Sequence, residues 1–289
     1  VKGVRIIDND DLSEREYYGK VVFLCASTLG STQIMLNSTS KTFPNGIANS
    51  SGVLGHYLMD HNYNAKVTGD IMGFEDEYYR GRRPGGLLIP NFRYQPSRYS
   101  DQYQRGFSFS CGAYRETWKD LKENDGFGSQ FKETLSQAGQ WKFNMDAQGE
   151  MLPRFENHMA LHPTLKDKWG IPQVEFNVRW SDNEKLMMED AVEIGKEILI
   201  KAGLENVTGK ATERPPGIAI HEVGTARMGR DPKDSILNGF NQCHDVANLF
   251  VTDGSSFSSS ATQNPSLTFM ALTARAVDYA AKEIKNGRI

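Results

Sequence analysis

The sequence predicts a mixed α+β and α/β chain: part of an α/β layer at the two ends and an antiparallel sheet with helices behind it in the middle. Three observations carry this. Val21-Val-Phe-Leu-Cys25 is an unbroken apolar run followed by small residues and a short helical pattern, the layout of a fully buried strand feeding a helix. Phe107-Ser-Phe-Ser-Cys111 and Val174-Glu-Phe-Asn-Val-Arg-Trp180 alternate with the period of a sheet covered on one face. Near the chain end Leu267, Met270, Ala271, Ala274, Val277, Ala281 and Ile284 repeat at helical period, which predicts a long amphipathic helix.

In order, Val4 and Ile6 alternate with Arg5 ahead of the polar Asp8-Asn-Asp-Asp11 turn, predicting a hairpin before the Val21 to Cys25 strand. Ala26 to Leu36 then reads as a small-residue turn and a short helix. Gly55 allows a tight turn before Asp60-His61, a pair that also reads as a polar loop closure. From about Asn62 to Lys142 the composition shifts to aromatics and arginines, among them Tyr78, Tyr79, Arg80, Arg82, Arg83, Tyr94, Tyr99, Tyr103, Tyr114 and Trp118. Such rings suit sugar faces, but strand packing accounts for most of them. Extended segments follow at Glu150 to Pro153 and Asn157 to Leu161, with His158 and His162 flanking an apolar turn. Ser181-Asp-Asn-Glu184 is a capping box for a helix striped by Met187, Ala191, Ile194 and Ile198 that stops at Gly203. After the polar loops 234–238 and 241–245, Asn248 to Asp253 reads as a buried strand. Asn264 is a favoured N-cap, and Pro265 suits the first helical position. The expected division is 1–61, 62–210 and 211–289.

Composition narrows the function classes. At 38% hydrophobic and 24% charged, the 289 residues are ordinary for a soluble globular chain, and a net charge of −3 gives no basic footprint for nucleic acid. No run of eighteen apolar residues predicts a membrane segment, and the compartment stays open between cytoplasm and periplasm. Cys25, Cys111 and Cys243 are odd in number and lack CxxC spacing, so buried free thiols are expected. The six histidines show no metal-ligand spacing, and no metal is expected.

Three blocks concentrate the chemistry: His221-Glu-Val-Gly-Thr-Ala-Arg-Met-Gly229, Val251-Thr-Asp-Gly-Ser-Ser-Phe257 and Gln263-Asn-Pro-Ser-Leu-Thr268. Taken singly, His221 reads as a loop histidine and Asn264 as a helix cap. In this order the blocks resemble the C-terminal part of the glucose-methanol-choline (GMC) oxidoreductases, flavoproteins that oxidise alcohols and sugars. The 43 positions from His221 to Asn264 resemble the family's spacing between its active-site histidine and a following histidine or asparagine. The Ala26 to Leu36 segment is similar to the family's second signature, with Ser27 in place of the usual glycine and Thr32 in place of proline. Leu54 to His61 resembles V-G-x-N-L-x-D-H, and Thr164 to Pro172 resembles a phrase of the family's substrate domain.

The resemblance implies FAD as cofactor, with His221 and Asn264 catalytic at its reactive ring. It places Ser27, Gly30, Asp60, His61, Asp253, Gly254, Pro265 and Leu267 against the cofactor, with Asp253 and Gly254 beside the ribityl-phosphate. It also implies that 1–61 and 211–289 belong to an FAD-binding domain and 62–210 to a substrate domain. No G-x-G-x-x-G occurs, and in the family that pyrophosphate loop lies in the N-terminal half, so the chain is expected to be a C-terminal half that is inactive alone and prone to self-association. The expected substrate is a small alcohol or sugar, with the sugar-oxidising branch the nearest likeness and the electron acceptor open. The alternative reading is a non-catalytic carbohydrate-binding or scaffold module that lost its cofactor half.

Overall fold

A computed structural model describes residues 1–74, 77, 86–121 and 126–289. Tyr78, Tyr79, Arg80, Arg82 and Arg83 lie outside the described residues. In chain order the elements are β1 (Gly3–Ile7), β2 (Glu14–Tyr18), β3 (Val22–Leu24), α1 (Thr28–Asn37), β4 (Asn62–Ile71), β5 (Leu87–Ile89), β6 (Phe107–Arg115), α2 (Trp118–Leu121) and α3 (Gly128–Ser136). They continue with β7 (Trp141–Gly149), β8 (His158–Lys166), β9 (Pro172–Asn177), α4 (Asp182–Lys201), β10 (Glu205–Ala211), β11 (Leu249–Val251) and α5 (Ser266–Lys285).

The backbone divides into two compact units, one of 1–61, 151–180 and 215–289 and the other of 62–150 and 181–214. The second unit holds the antiparallel sheet, in order β10-β4-β7-β6-β5. The alternation read at Phe107 to Cys111 places Phe107, Phe109 and Cys111 inside, where they meet Val67 and Met145. Helix α4 covers this face with Met187, Met188, Ala191, Val192 and Leu199. Its start is held by Glu184, whose carboxylate accepts from the Ser181 N–H at 2.7 Å and the Ser181 hydroxyl at 2.6 Å; Gly203, at φ +85, ends it in a left-handed turn. Strand packing takes Phe107, Phe109 and Tyr103, whereas Tyr94, Tyr99 and Trp118 stay exposed.

The first unit is assembled from three stretches of chain. The predicted hairpin is β1 against β2, and β3 pairs in parallel with β11, Val22 opposite Leu249. Leu24, Met35, Leu54, Ile236, Leu237 and Val251 form the core beneath this pair. Residues 151–180, grouped from sequence with the middle of the chain, pack instead in this unit. Their hairpin β8–β9 is separate from the five-stranded sheet, and Gln33 of α1 donates to the Pro172 carbonyl at 3.0 Å. The Thr164 to Pro172 phrase thus lies in the first unit, and His158 and His162 stand on strand β8 rather than flanking a turn.

Three further expectations are corrected. Cys25 is exposed, because the chain leaves β3 there, whereas Cys111 and Cys243 are buried thiols. Pro265, at φ −80 and ψ −13, occupies the cap position of α5, so Asn264 lies before the helix and no side chain caps it. The periodic face Leu267, Met270, Ala271, Ala274, Val277, Ala281 and Ile284 points outward. The inner face uses Ala276 and Ala280, which pack against Phe250, together with Phe269 and Leu272. Small residues allow the closer approach, so side-chain size misidentified the inner face.

Candidate active site

A short irregular ribbon joins the segments singled out in the sequence. Met59 and Val223 exchange N–H···O bonds of 2.9 and 3.0 Å, the Gly55 N–H donates to the Thr225 carbonyl at 2.8 Å, and the Thr225 N–H donates to the His56 carbonyl at 3.1 Å. On the other side of the same loop, Gly224, Ala226 and Met228 donate to the carbonyls of Gly254, Ser255 and Ser256 at 2.9 to 3.0 Å. Gly224 is required at this crossing. Its φ is +93, and a Cβ there would lie 2.2 Å from the Tyr57 carbonyl oxygen. Two of the three chemical blocks are therefore stitched together by backbone, with 55–61 as the third strip.

The side chains of Asp60 and His61 close this ribbon around His221. The buried Asp60 carboxylate accepts from the N–H groups of Gly217 at 2.8 Å, Ala219 at 3.2 Å and His221 at 3.2 Å, pinning the loop that carries His221. His61, 1% exposed, has its Nδ1 2.9 Å from His221 Nδ1 and its Nε2 3.2 Å from the Ser260 carbonyl. The two rings meet edge to face, centroids 5.0 Å apart. Burial holds the His61 imidazole below the usual histidine range, against the Ser260 carbonyl and Asp60, which favour its protonation.

Helix α1 braces the same loop. The Thr28 hydroxyl donates to the Glu222 carbonyl at 2.5 Å, Thr32 shares a 2.7 Å bond with the Thr225 hydroxyl, and the Ser31 hydroxyl donates to Asp253 at 2.5 Å. Thr32, which stands where the resembling family has proline, thus gains a partner that a proline would not have. Ser27 sits at φ 69, the left-handed region that a glycine would occupy without strain. Asp60 reads as loop closure in this geometry, and Thr28, Ser31, Thr225 and Ser260 were missed in sequence because hydroxyls and a carbonyl carry no pattern of their own.

The residues assigned to a cofactor divide into two sets. Asp253 is buried, with one oxygen on Ser31 and the other accepting from the Ser255 N–H at 3.0 Å and hydroxyl at 2.6 Å. At Gly254 a Cβ would lie 2.5 Å from Thr28 Oγ1. This pair is taken up by internal packing. Ser27 and Gly30 lie at the start of α1, and Pro265 and Leu267 at the start of α5. Neither helix start has a side-chain cap bond, and amides of a first turn fit an electron-rich or anionic group. The donor chemistry there suits a flavin's polar edge. His61 stands apart from both sets, engaged by His221 and Ser260. Asn264 is exposed in the turn before α5, four residues after Ser260. A cavity of about 230 Å³, lined by Leu58, Asp60, Phe176, Val178, Gly217 and Glu222, opens on the loop that carries His221.

Comparison with known proteins places this geometry. Residues 153–273 match the family model described as GMC oxidoreductase. A 2-methyl-1,2-propanediol dehydrogenase from Mycolicibacterium austroafricanum is 28% identical, covering 98% of this chain and 52% of its own length. The fructose dehydrogenase large subunit from Gluconobacter japonicus is 27% identical, covering 99% and 52%. A gluconate 2-dehydrogenase flavoprotein from Pantoea cypripedii is 30% identical over 53% of this chain and 26% of its own length. Among solved structures, Aspergillus oryzae formate oxidase shares the fold, with a TM-score of 0.63 at 14% identity, covering 99% of this chain and 58% of that one. The chain spans about half the length of the curated relatives it matches.

Proposed function

We propose, from the premise that the chain belongs to the GMC oxidoreductase family through residues 153–273, that it supplies the proton-handling half of an FAD-dependent enzyme oxidising a CH–OH group of an alcohol or sugar. The observation that carries this reading is His221, held by Asp60 at its backbone and by His61 at its ring. A binding module has no use for a histidine fixed at both ends beside a second, buried histidine. Bound FAD would supply the hydride acceptor. His221 takes the substrate hydroxyl proton as the C–H bond is broken, a task for which imidazole is suited near neutral pH. Asn264, exposed ahead of α5, holds the hydroxyl oxygen through its amide. Ser27, Gly30, Pro265 and Leu267 are the residues we assign to the cofactor, through the uncapped helix starts on which they lie. The relatives that act on a diol and on fructose support a small polyol or sugar as substrate.

In the flavin-loaded protein, His221→Ala is expected to slow anaerobic flavin reduction by about 10²- to 10⁴-fold, the usual worth of a positioned base, with flavin binding retained. Asn264→Ala should raise the substrate Kd more than it lowers the limiting rate. Because Asn264 caps nothing, its loss should change stability by no more than about 0.5 kcal/mol. Stopped-flow reduction at wild-type speed in His221→Ala would place the base elsewhere.

A further inference from the structure

We propose that His56 and His158 form a two-histidine site for a borderline divalent cation of the Zn²⁺ class, bound through their two Nε2 atoms.

The pair is assembled from two distant stretches of the first unit. His56 lies in the 55–61 strip and His158 opens β8, and the two face each other across an isolated antiparallel bridge. The Met159 N–H reinforces the bridge by donating to the Gly55 carbonyl at 2.9 Å. Spacing along the sequence conceals the pair, which only the fold brings together. The ring centres stand 5.1 Å apart, with the planes tilted by 32°. Two imidazoles that share one tetrahedral metal, each nitrogen about 2.0–2.1 Å from it, have their ring centres roughly 5 Å apart. The observed separation matches.

The outer nitrogens supply the second observation. His56 Nδ1 lies 2.7 Å from the Phe155 carbonyl, and His158 Nδ1 lies 2.8 Å from the Glu156 carbonyl. A carbonyl only accepts, so each Nδ1 carries a proton and, in the neutral ring, each Nε2 carries the lone pair. Among the described residues neither Nε2 has a hydrogen-bond partner. An Nδ1–H anchored on a backbone carbonyl is the support that metal-bound histidines generally have, because it fixes both tautomer and ring direction. Phe155 lies flat on His56, centroids 3.8 Å apart at 7°, and edge-on to Tyr57 at 5.7 Å, so the His56 ring is held independently of any ligand. Both histidines are half-buried and open to solvent.

Imidazole nitrogen favours zinc, nickel and copper over magnesium and calcium. Among the described residues no group of three or more His, Cys, Asp or Glu is placed to hold a metal, so the protein supplies two ligands and water the remainder. The His56 carbonyl also accepts from the Thr225 N–H at 3.1 Å. A cation on the pair therefore ties β8 to the ribbon that carries the His221 loop.

Calorimetric titration of the chelator-treated 289-residue protein with Zn²⁺ tests the site. Binding should weaken about 100-fold in His56→Ala and in His158→Ala, because either loss turns a chelate into a single ligand. His162→Ala, which removes a histidine further along β8, should bind as the wild type does. Saturating Zn²⁺ should raise the urea midpoint of the wild type and of His162→Ala and leave the other two variants unchanged. Where an alanine variant fails to fold, the wild type alone decides. Sub-stoichiometric Zn²⁺ should then move the ¹⁵Nε2 signals of His56 and His158 ahead of those of the other histidines. Equal affinity in the wild type and a variant lacking either histidine, a site lost with His162, or signals that move first elsewhere would overturn the proposal and leave the pair as packing against Phe155.

Discussion

His61 sets a pH limit on stability. Its pKa in the folded protein is held below the unfolded value, first by burial, so the unfolded chain binds a proton that the native one refuses. The contribution is complete above about pH 6.5, the unfolded value. It is lost as pH falls from there toward the lowered native pKa. Urea midpoints taken between pH 8 and 5 should fall with a slope of up to about 1.4 kcal/mol per pH unit from this group, and His61→Asn should flatten that part of the curve. An identical slope in wild type and variant would mean that His61 is not the group refusing the proton. His221 and its spacing to Asn264 could be read from the sequence because they lie in blocks with fixed flanking residues. Ser27 stands where the resembling family has glycine, and its φ of 69 lies in the left-handed region. The roles of Asp60 and His61 were open between loop closure and cofactor contact, because both partners, the 217–221 amides and the Ser260 carbonyl, lie at least 157 residues away in sequence.

At the level of elements, the ribbon of 55–61 with 221–225 is more exacting than any single helix. Gly224→Ala would combine a left-handed φ with a Cβ 2.2 Å from the Tyr57 carbonyl oxygen. We expect a loss of about 2 to 4 kcal/mol, seen as a lower unfolding midpoint. A Gly224→Ala protein as stable as wild type would show that this crossing yields. Helix α4 was legible in its cap and its terminating Gly203, which obey local rules, while of its expected stripe Met187 and Ala191 are buried and Ile194 and Ile198 are half-buried, the inner face turning toward Val192 and Leu199. Helix α5 was legible as a helix but not in its orientation. Its inner contacts, Ala276 and Ala280 against Phe250, depend on close approach and not on bulk. The ribbon itself has no period, since its residues 55–61 and 221–225 are mostly bends and isolated bridges.

For the molecule as a whole, the glycine-rich pyrophosphate loop is absent from these 289 residues. Expressed alone, they should purify colourless, because amides at two helix starts offer too little to offset the cost of immobilising a dinucleotide. A stoichiometric yellow preparation would overturn this. The antiparallel sheet and the α/β pieces were predicted from alternation and apolar runs. The allotment of 151–180 was not, because β8 and β9 alternate like the strands of the other unit and only their partners tell them apart. The three-stretch make-up of the first unit also fixes an order of events in time. His61 leaves the ribosome 160 residues before His221, which at ordinary translation speeds is about 10 to 30 s. Strand β3 waits longer still for β11. Until then the edge of β3 that β11 takes is open, and the later-synthesised stretch acts as the clasp that shuts the site.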